Sequence, residues 1–548
     1  MPCLHDAIDV NKIRVIEFPI AENAKRQIRR EGFGRLDVQC QQIQDDVLKE
    51  ILTLSANTEY LRPFLHKSSD KELFKKNVPV TTYDDVKLFI DLVANGEPFD
   101  VISGKPITGF SLSSGTSGGK RKMFPCNKKY LENLNFIYCY RSLVISKHFD
   151  GLEHGKGMVF NVCVPEHTTT PSGLPVSAAT TLFFKSDYFK NRPQYWHWSF
   201  TIQRDEVVKV GTSFVSTLVR VITFLEKHWK EICTNTRYGH LSEWITDSCR
   251  DSVSKILGEP NPELADLIEN ECDQKSWEGI IQRLWPKTKF MTGQMAQHIP
   301  TLEFYSNKLP LISSSYVSSE TMFGINMNPL CKPQDVSYTF MPHFSYFEFL
   351  LVDAGDEVKI VDLVDVKLGC HYESLVTNHS VTGFYNSAPQ FRFSRRGNLV
   401  LSVHMEITTD QVLLNAVTHG KMVLESSDLM LMDFTGYADI STTPGHYVLY
   451  WELKGKYSND IAEIDDKESL DNFYKEYRKN GSIGALEIRV VQQGTFDSLM
   501  EFFISQGASS TQYKTPICIK STEAIAILEG KVHARFFTDK SLSLKFSS

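Results

Sequence analysis

The stretch SLSSGTSGGKRK, residues 111–122, is the part of this 548-residue chain that is most informative about its fold. It follows the strand-like residues ITGF at 107–110, and it places glycines and hydroxyl side chains before three cations. Glycines let backbone N–H groups approach an anion closely, hydroxyls donate hydrogen bonds to its oxygens, and cations offset its charge. The stretch therefore predicts a phosphate-binding loop after a β-strand, with a nucleotide polyphosphate as the first candidate ligand.

Two better-known phosphate loops do not fit this stretch. A Walker A loop needs Gly, four residues and then Gly-Lys-Ser/Thr, yet Ser114 stands at the first glycine position and Arg121 follows the lysine. The glycine spacing also fails the G-x-G-x-x-G dinucleotide fingerprint. Residues 115–119 do read G-x-S-x-G, the nucleophile elbow of α/β-hydrolases with Ser117 as the nucleophile, but that elbow needs a helix after the turn. Residues 120–125 instead end in proline, as in the second strand of a hairpin, and a solvated Ser/Gly turn is the remaining alternative.

Length and composition exclude several classes of protein. The chain is too long for one hydrophobic core, so two or more folded units are expected. A net charge of -7 gives no general basic field for nucleic acid, and no apolar run reaches the length of a membrane-spanning helix. The N-terminus lacks the charged-then-apolar order of a signal peptide, and the 11 cysteines are scattered without a C-x-x-C pair. These features predict a cytoplasmic protein with reduced thiols, without a nucleic-acid or membrane partner and without an obligate protein partner.

A predicted helix after the loop carries an arginine on an apolar face. Residues 127–148 form this helix, and Leu134, Tyr138, Arg141 and Ile145 share one of its faces. A long arginine on such a face can extend its guanidinium to water, or it can bind a carboxylate with two hydrogen bonds. Because an unpaired buried charge is costly, the residues alone favour the first role.

Two later segments carry single charged residues beside small polar ones. A strand at 311–316 leads into VSSET at 317–321, where Glu320 is a candidate Mg²⁺ ligand because that ion prefers oxygen. Taken singly, such a glutamate is more often a polar strand end. Lys514 lies close before a proline that ends any helix, so it is expected on a loop, where solvation is the default role of a lone lysine.

Six motifs stand in one order along the chain. They are SSGTSGG at 113–119, TPSGLP at 170–175, YVSSE at 316–320, YFEF at 346–349, TGFYNSAP at 382–389 and QYKTP at 512–516. Together they resemble the plant Gretchen Hagen family of acyl-acid amido synthetases, which are adenylate-forming enzymes. The similarity covers about residues 57–520 and is greatest toward the benzoate- and salicylate-related branch.

The resemblance implies a fold and a reaction. The implied α/β fold has a large N-terminal adenylation-type domain at residues 1–402, with β-sheets and a β-barrel flanked by helices, and a smaller mobile α+β domain at 403–548. In the implied reaction, ATP with Mg²⁺ and a carboxylic acid form an acyl-adenylate and pyrophosphate; the amine of an amino acid then displaces AMP. Such catalysis rests on positioning and charge stabilisation rather than on an enzyme nucleophile. The acid would be of the benzoate or salicylate, auxin or jasmonate type.

The resemblance also assigns roles to residues of this chain. Tyr138 and Arg141 stand at the positions where the family binds the acid substrate. The resemblance therefore reverses the preference for a solvated arginine. The expected nucleotide-binding residues are Ser113, Ser114 and Thr116 at the phosphates, Thr180 near the adenylate, and Tyr316, Ser318, Ser319 and Glu320 at the adenine and metal side. Lys514, carried to the nucleotide by the C-terminal domain, and Glu320, the metal ligand, are the expected catalytic residues.

The chain departs from the family pattern at four places. Residues 376–381 run straight into the TGFY motif at 382–385, without the family's Tyr-Arg-x-x-x-Gly-Asp segment, whose aspartate holds the ribose. Strand sequence is shortened at 198–203 and at 289–292, and residues 406–408 replace a family lysine. A sheet that lacks strands would expose unpaired backbone groups. The alternatives to an active ligase are therefore an impaired member that only binds acid or nucleotide and, last, a hydrolase that uses Ser117.

Overall fold

The structure of the chain is a computed structural model. It describes residues 14–17, 40–114, 121–152, 155–160, 168–187, 194–195, 204–243, 250, 254, 257–294, 298–332, 335–352, 359–380, 384–386, 400–403, 406–409, 413, 417, 429–455, 462–464, 479, 481–509, 513–537 and 542–544. The apolar pattern of residues 391–393 also predicts a strand, but these residues lie outside the described ones.

The α-helices include the one predicted after the phosphate loop. Those of the described residues are α1 Cys40–Ser55, α2 Arg62–Leu65, α3 Lys71–Asn77, α4 Tyr83–Ala94, α5 Lys128–Ser146, α6 Ala179–Lys185, α7 Val215–Tyr238, α8 Pro262–Cys272, α9 Ile280–Leu284, α10 Ile299–Ser306, α11 Thr495–Ser505 and α12 Thr522–Glu529. The helix predicted at 127–148 corresponds to α5. Asn127 caps it because its side-chain oxygen accepts a hydrogen bond from the Tyr130 backbone N–H at 3.0 Å.

The strands include the predicted hairpin. They are β1 Arg14–Glu17, β2 Ile107–Leu112, β3 Met123–Asn127, β4 Lys156–Phe160, β5 Thr168–Thr169, β6 Pro175–Ala178, β7 Gln194–Tyr195, β8 Val207–Phe214, β9 Phe290–Gln294, β10 Leu311–Ile312, β11 Ser315–Val317, β12 Met322–Ile325, β13 Thr339–Phe340, β14 Tyr346–Leu351, β15 Ile360–Asp362, β16 Tyr372–Thr377, β17 Phe384–Asn386, β18 Val400–Val403, β19 Glu406–Thr409, β20 Leu429–Asp439, β21 His446–Gly455, β22 Ala462–Ile464, β23 Glu487–Val491, β24 Val532–Phe537 and β25 Leu542–Leu544. β2 and β3 pair antiparallel, as the proline-terminated stretch predicts.

The largest sheet of the described residues has the strand order β10-β9-β8-β4-β1-β7. Its strands β10, β9, β8 and β4 run parallel, as expected where helices connect successive strands. Val210 and Met291 of this sheet share one buried core with Leu218 of α7, Ile268 of α8 and Leu302 of α10. The strand expected to be shortened near 289–292 is present as β9.

The phosphate-loop hairpin belongs to a second sheet, with the order β3-β2-β6-β5. β2 pairs parallel with β6, and helices α1 to α4 cover the hairpin, since Phe110 and Phe124 share a core with Leu48, Ile51 and Ile90.

The expected β-barrel does not close among the described strands. The strands after β10 form a three-stranded antiparallel sheet, β11-β12-β13, and a four-stranded one, β15-β14-β16-β17. A barrel requires its two edge strands to pair with each other, and no described ladder joins these edges. β16 pairs directly with β17, from which only residues 378–383 separate it along the chain.

The C-terminal part of the chain is built on the sheet β20-β21-β23-β24, with α11 and α12 against one face. It is attached to the rest of the molecule along β20. Met430 is buried in the core of the largest sheet, and the Thr301 hydroxyl donates to the Leu431 carbonyl at 3.1 Å. Lys454 of β21 forms an ion pair with Glu226 of α7. The described helices do not include one long and apolar enough to cross a membrane.

Candidate active site

The β2–β3 hairpin carries the phosphate-binding motif at its tip. Beyond the strands, the Ser113 backbone N–H donates to the Lys122 carbonyl at 2.9 Å, and the Lys122 N–H donates to the Ser113 hydroxyl at 2.9 Å. The chain thus leaves the loop as a strand, and the hydrolase interpretation lacks the helix that should follow Ser117. Residues 115–120 lie outside the described residues, so phosphate binding by Thr116 stays a prediction.

The C-terminal part of the chain contacts the residues on both sides of the phosphate loop. The Ser509 backbone N–H donates to the Ser114 carbonyl at 3.2 Å, and the Arg121 guanidinium donates to the Ala508 carbonyl at 2.6 Å. Ala508 and Ser509 are buried. The described ends of the phosphate loop are therefore covered by the backbone of residues 508–509.

Lys514 lies on a loop, as its neighbouring proline predicts. Its ammonium is 5.1 Å from the ring centroid of Phe214, the last residue of β8. The preceding Tyr513 is buried, and its ring centroid lies 5.6 Å from the guanidinium of Arg220 on α7. These contacts place Lys514 at the junction of β8 and α7, and its part in catalysis stays a prediction.

A tight turn after β11 holds Glu320 half-buried. Its backbone N–H donates to the Ser318 hydroxyl at 3.2 Å, and the Ser318 N–H donates to the Thr321 carbonyl at 2.9 Å. The Glu320 carbonyl accepts a hydrogen bond from the Asn378 side-chain amide at 2.8 Å. The Glu320 backbone, with the half-buried Ser319 beside it, is thus held by its own turn and by residues that follow β16.

The carboxyl group of Glu320 is electrostatically coupled to the hairpin. Burial raises its pKa above the ordinary value, and the Ser318 hydroxyl and the positive charge of Lys122 lower it in part. One carboxylate among hydroxyls suits Mg²⁺, which keeps several waters and binds one or two carboxylates together with substrate phosphates. In the part of the chain that the structure describes, no group of three or more His, Cys, Asp or Glu residues could hold a metal ion. Glu320 therefore fits the metal as the companion of a phosphate-bearing substrate.

The strands on either side of the Glu320 turn join it to helices α5 and α6. Met322 is buried in the core that these helices form, and Val317 packs against the same core. The ring of Tyr316 lies 5.3 Å from that of Phe323 and 5.6 Å from that of Tyr338. Tyr316 thus stands in an aromatic group next to the turn, and its contact with adenine stays a prediction.

Helices α5 and α6 bring the expected acid-binding residues together. The rings of Tyr138 and Phe183 stack with centroids 4.5 Å apart and planes 7° apart, and Phe184 meets Tyr138 edge-on. The Arg141 guanidinium lies 3.8 Å from the Tyr138 ring centroid, a cation–π contact. Thr180 is half-buried one turn before Phe183 on α6. Flat rings and a cation therefore share one region, which suits an aromatic acid.

A second cation in this region, Lys209 of β8, was missed by the sequence analysis. It is half-buried and pairs in register with Phe290, which packs against Ile145 of α5, so Lys209 lies on the sheet face that α5 covers. Burial and the positive charge of Arg141 lower the pKa of Lys209 to about 7. The available signal was a lysine inside the apolar run 207–210, because lysine is almost never fully buried without a partner.

The fold and these side chains define a mixed α/β protein in which a phosphate-type hairpin, a lone carboxylate and an aromatic region with two cations lie close together. The chain belongs to the GH3 family. The family's N-terminal domain matches residues 29–311, its central domain matches residues 338–396, and its C-terminal domain matches residues 411–523. The family that the motifs predict is therefore confirmed.

Curated relatives and solved structures of this family match nearly the whole chain. The 4-substituted benzoates-glutamate ligase GH3.12 of Arabidopsis thaliana is 52% identical over 576 residues, covering 95% of this chain and 99% of the relative. The indole-3-acetic acid-amido synthetase GH3.17 of the same plant is 45% identical, and the match covers 92% of this chain and 95% of the relative. The structure of the Arabidopsis GH3.15 acyl acid amido synthetase with 2,4-DB superposes with a TM-score of 0.83 at 43% identity, covering 94% of this chain and 97% of that one. The overall fold is that of this enzyme class.

Proposed function

We propose that this chain is an ATP-dependent acyl-acid amido synthetase, which activates a small carboxylic acid and joins it to the amine of an amino acid. The observation that carries this proposal is the pair of half-buried cations, Arg141 and Lys209, beside the stacked rings of Tyr138 and Phe183. An aromatic carboxylate offers a flat ring to the aromatic side chains and a negative charge to the cations. The relative at 52% identity favours an acid of the benzoate type over one of the auxin or jasmonate type.

The proposed chemistry has two steps. The carboxylate oxygen attacks the α-phosphorus of ATP, and the bond to the β-phosphate breaks to release pyrophosphate. The amine of the amino acid then attacks the acyl carbon and loses a proton, while the carbon–oxygen bond to AMP breaks. An amine cannot readily displace oxide or hydroxide from the carbon of a free carboxylate, whereas AMP leaves readily from the acyl-adenylate, so the first step makes the second possible.

The side chains act in this scheme by binding and orienting the reactants. Arg141, Lys209 and Tyr138 hold the acid, and Lys514 approaches the nucleotide from the C-terminal part. The proposed nucleotide-binding residues are Ser113, Ser114 and Thr116 for the phosphates, Thr180 for the adenylate, and Tyr316, Ser318, Ser319 and Glu320 for the adenine and metal side. Mg²⁺, bound by Glu320, would neutralise phosphate charge.

We also propose a division of the chain and a compartment. An adenylate-forming domain spans residues 1–402 and a lid domain spans residues 403–548, and the contacts of Ala508 and Ser509 with the hairpin support a lid over the phosphate loop. The eight cysteines that the structure describes are free thiols, which supports a reducing compartment such as the cytoplasm.

Acid-dependent exchange of labelled pyrophosphate into ATP tests the first step. We expect exchange with benzoate, salicylate or a 4-substituted benzoate above the rate without acid, and amide products by mass spectrometry once amino acids are added. A panel that includes indole-3-acetate and jasmonate identifies the acid class. If no acid supports exchange, in this chain or in one with the shortened segments restored, the proposed function is wrong.

The restored chain also tests the impaired-member alternative. The alignment with GH3.12 spans 576 residues, more than the 548 of this chain, so it opens gaps within this chain. Equal exchange by the natural and the restored chains would show that the shortened segments are dispensable for activation. Exchange by the restored chain alone would assign the natural chain to binding without catalysis.

A further inference from the structure

The short connection between β16 and β17 forms a buried turn at residues 377–380. Thr377, His379 and Ser380 are buried, and Asn378 is half-buried between them. The turn closes on itself because the Ser380 backbone N–H donates to the Asn378 side-chain oxygen at 2.7 Å. This 377–380 turn lies where the sequence analysis expects a family segment to be missing.

Asn378 joins this turn to the Glu320 turn. Its side-chain oxygen accepts the Ser380 N–H, and its side-chain nitrogen donates to the Glu320 carbonyl at 2.8 Å. An exchange of the two amide atoms would lose both bonds, so the neighbours fix the orientation of the amide. The same residue therefore stabilises its own turn and holds the backbone of the proposed metal ligand.

His379 anchors the 377–380 turn to the rest of the molecule. Its carbonyl accepts hydrogen bonds from the Asn127 amide at 3.0 Å and from the Ser103 hydroxyl at 3.3 Å. Its ring Nε2 lies 3.1 Å from the Glu50 carboxylate, which also pairs with Lys105 at 3.2 Å. Because Asn127 is the cap of α5, the turn also supports the helix that carries Tyr138 and Arg141. The anchored turn gives Asn378 a fixed base.

We propose that Asn378 is a positioning residue, which holds the Glu320 carboxylate where a metal-bound nucleotide needs it. The inference rests on the proposed function, since it assumes that Glu320 meets Mg²⁺ and ATP phosphates. By this account the 377–380 turn keeps the metal side of the site in place. Asn378 should affect only the metal-dependent part of nucleotide binding, because its side chain contacts the Glu320 backbone.

Calorimetric titration of ATP into the full chain, once with excess MgCl₂ and once with EDTA, tests the proposal without turnover. Asn378→Ala removes the hydrogen bonds to both Glu320 and Ser380. It should weaken binding of ATP with Mg²⁺ by roughly three- to tenfold, the loss expected for the one bond that reaches Glu320, and leave binding in EDTA unchanged. Asn378→Asp keeps the acceptor for Ser380 and loses the donor, so it should behave like the alanine variant. Asn378→Gln retains an amide donor and should recover part of the affinity.

Asn77→Ala is the matched control, because it removes the same kind of bond, from an amide to the Phe64 carbonyl at 3.0 Å, outside the site. It should bind ATP as the natural chain does in both titrations. Equal losses with Mg²⁺ and with EDTA, together with a lower melting temperature, would assign Asn378 a purely structural role and overturn the proposal. Natural affinity in Asn378→Asp would also overturn it. If the natural chain binds no ATP in either titration, the proposed function is wrong as well. If only the Asn378 proposal is wrong, the natural chain still binds ATP, and this difference separates the two failures.

Discussion

Replacement of Lys209 by methionine should weaken binding of the acid and remove most of its pH dependence. The methionine keeps the length of the side chain beside Phe290 and removes the positive charge. In the natural chain, burial and the charge of Arg141 lower the pKa of Lys209 to about 7. A carboxylate bound between the two cations favours the charged lysine, so binding draws a proton onto Lys209 above that pH.

The expected magnitude follows from the kind of contact. A hydrogen bond to a charged group contributes about 1.5–3 kcal/mol, and 1.4 kcal/mol is a factor of ten in affinity. Lys209→Met should therefore raise the KM for the acid roughly ten- to hundredfold below pH 7, with the lower end favoured because the change also relieves repulsion on Arg141. In the natural chain the KM should rise about tenfold for each pH unit above about 7, until the pKa of Lys209 in the complex is passed.

The assay is pyrophosphate exchange at varied acid concentration from roughly pH 6 to pH 9, a range that lies on both sides of the pKa of Lys209. Lys230→Met, at an exposed position of α7, is the matched control and should keep the natural profile. A Lys209→Met variant with the natural KM and the natural pH profile would refute the reasoning, because Lys209 would then lie outside the acid site. A change in kcat alone would refute it too.

Three further changes probe other parts of the molecule. Phe183→Ala should destabilise the fold by about 3–5 kcal/mol, because this ring is fully buried against Tyr138. The measurement is urea denaturation, and an unchanged midpoint would contradict this packing role. Glu487→Gln should cost roughly 3 kcal/mol at pH 7, because it leaves the buried Arg489 short of a partner. Burial raises the pKa of the Glu487 carboxyl, but its hydrogen bonds outweigh burial and lower the pKa from the ordinary 4.5 to about 2. The stability that the ionised carboxyl adds is therefore complete above pH 4.5 and is lost as the pH falls toward 2. The difference between the two chains in denaturation experiments should therefore narrow as the pH falls below 4.5, and a constant difference would contradict the assignment. Arg121→Gln should raise the KM for ATP several-fold with little change in melting temperature, and a large loss of stability with a natural KM would show that its bond to residue 508 is only structural.

The elements with strong local signals could be predicted from the sequence. The hairpin followed from glycines and hydroxyls between two short apolar runs, and α5 followed from the Asn127 cap and the apolar face behind it. The strand expected at 311–316 instead divides into β10 and β11, which join different sheets. The break lies at Ser313 and Ser314, where the Asn326 side chain donates to the Ser313 carbonyl at 3.1 Å and the Asn326 N–H donates to the Ser314 carbonyl at 3.0 Å. These contacts come from Asn326, the residue that follows β12, and they leave no trace in the local sequence pattern.

The candidate site was predictable in part for the same reason. Arg141 is conspicuous because it interrupts an apolar helical face, whereas Lys209 becomes meaningful only when β8 pairs with β9 beneath α5. The contact of Asn378 with Glu320 joins residues 58 positions apart and depends on how β16 ends. Pairings of this kind are set by sheet register and helix packing, which a single sequence does not display.

The attachment of the C-terminal part along β20 differs in kind from its attachment at the hairpin. Along β20 the attachment includes Met430 within the main core, whereas at the hairpin the described hydrogen bonds join only Ser114 to Ser509 and Arg121 to Ala508. Thermal motion separates two hydrogen bonds far more often than it extracts a buried side chain. In the proposed function, where residues 403–548 act as a lid, the contacts at the hairpin are therefore the ones expected to break first, and those along β20 are expected to persist.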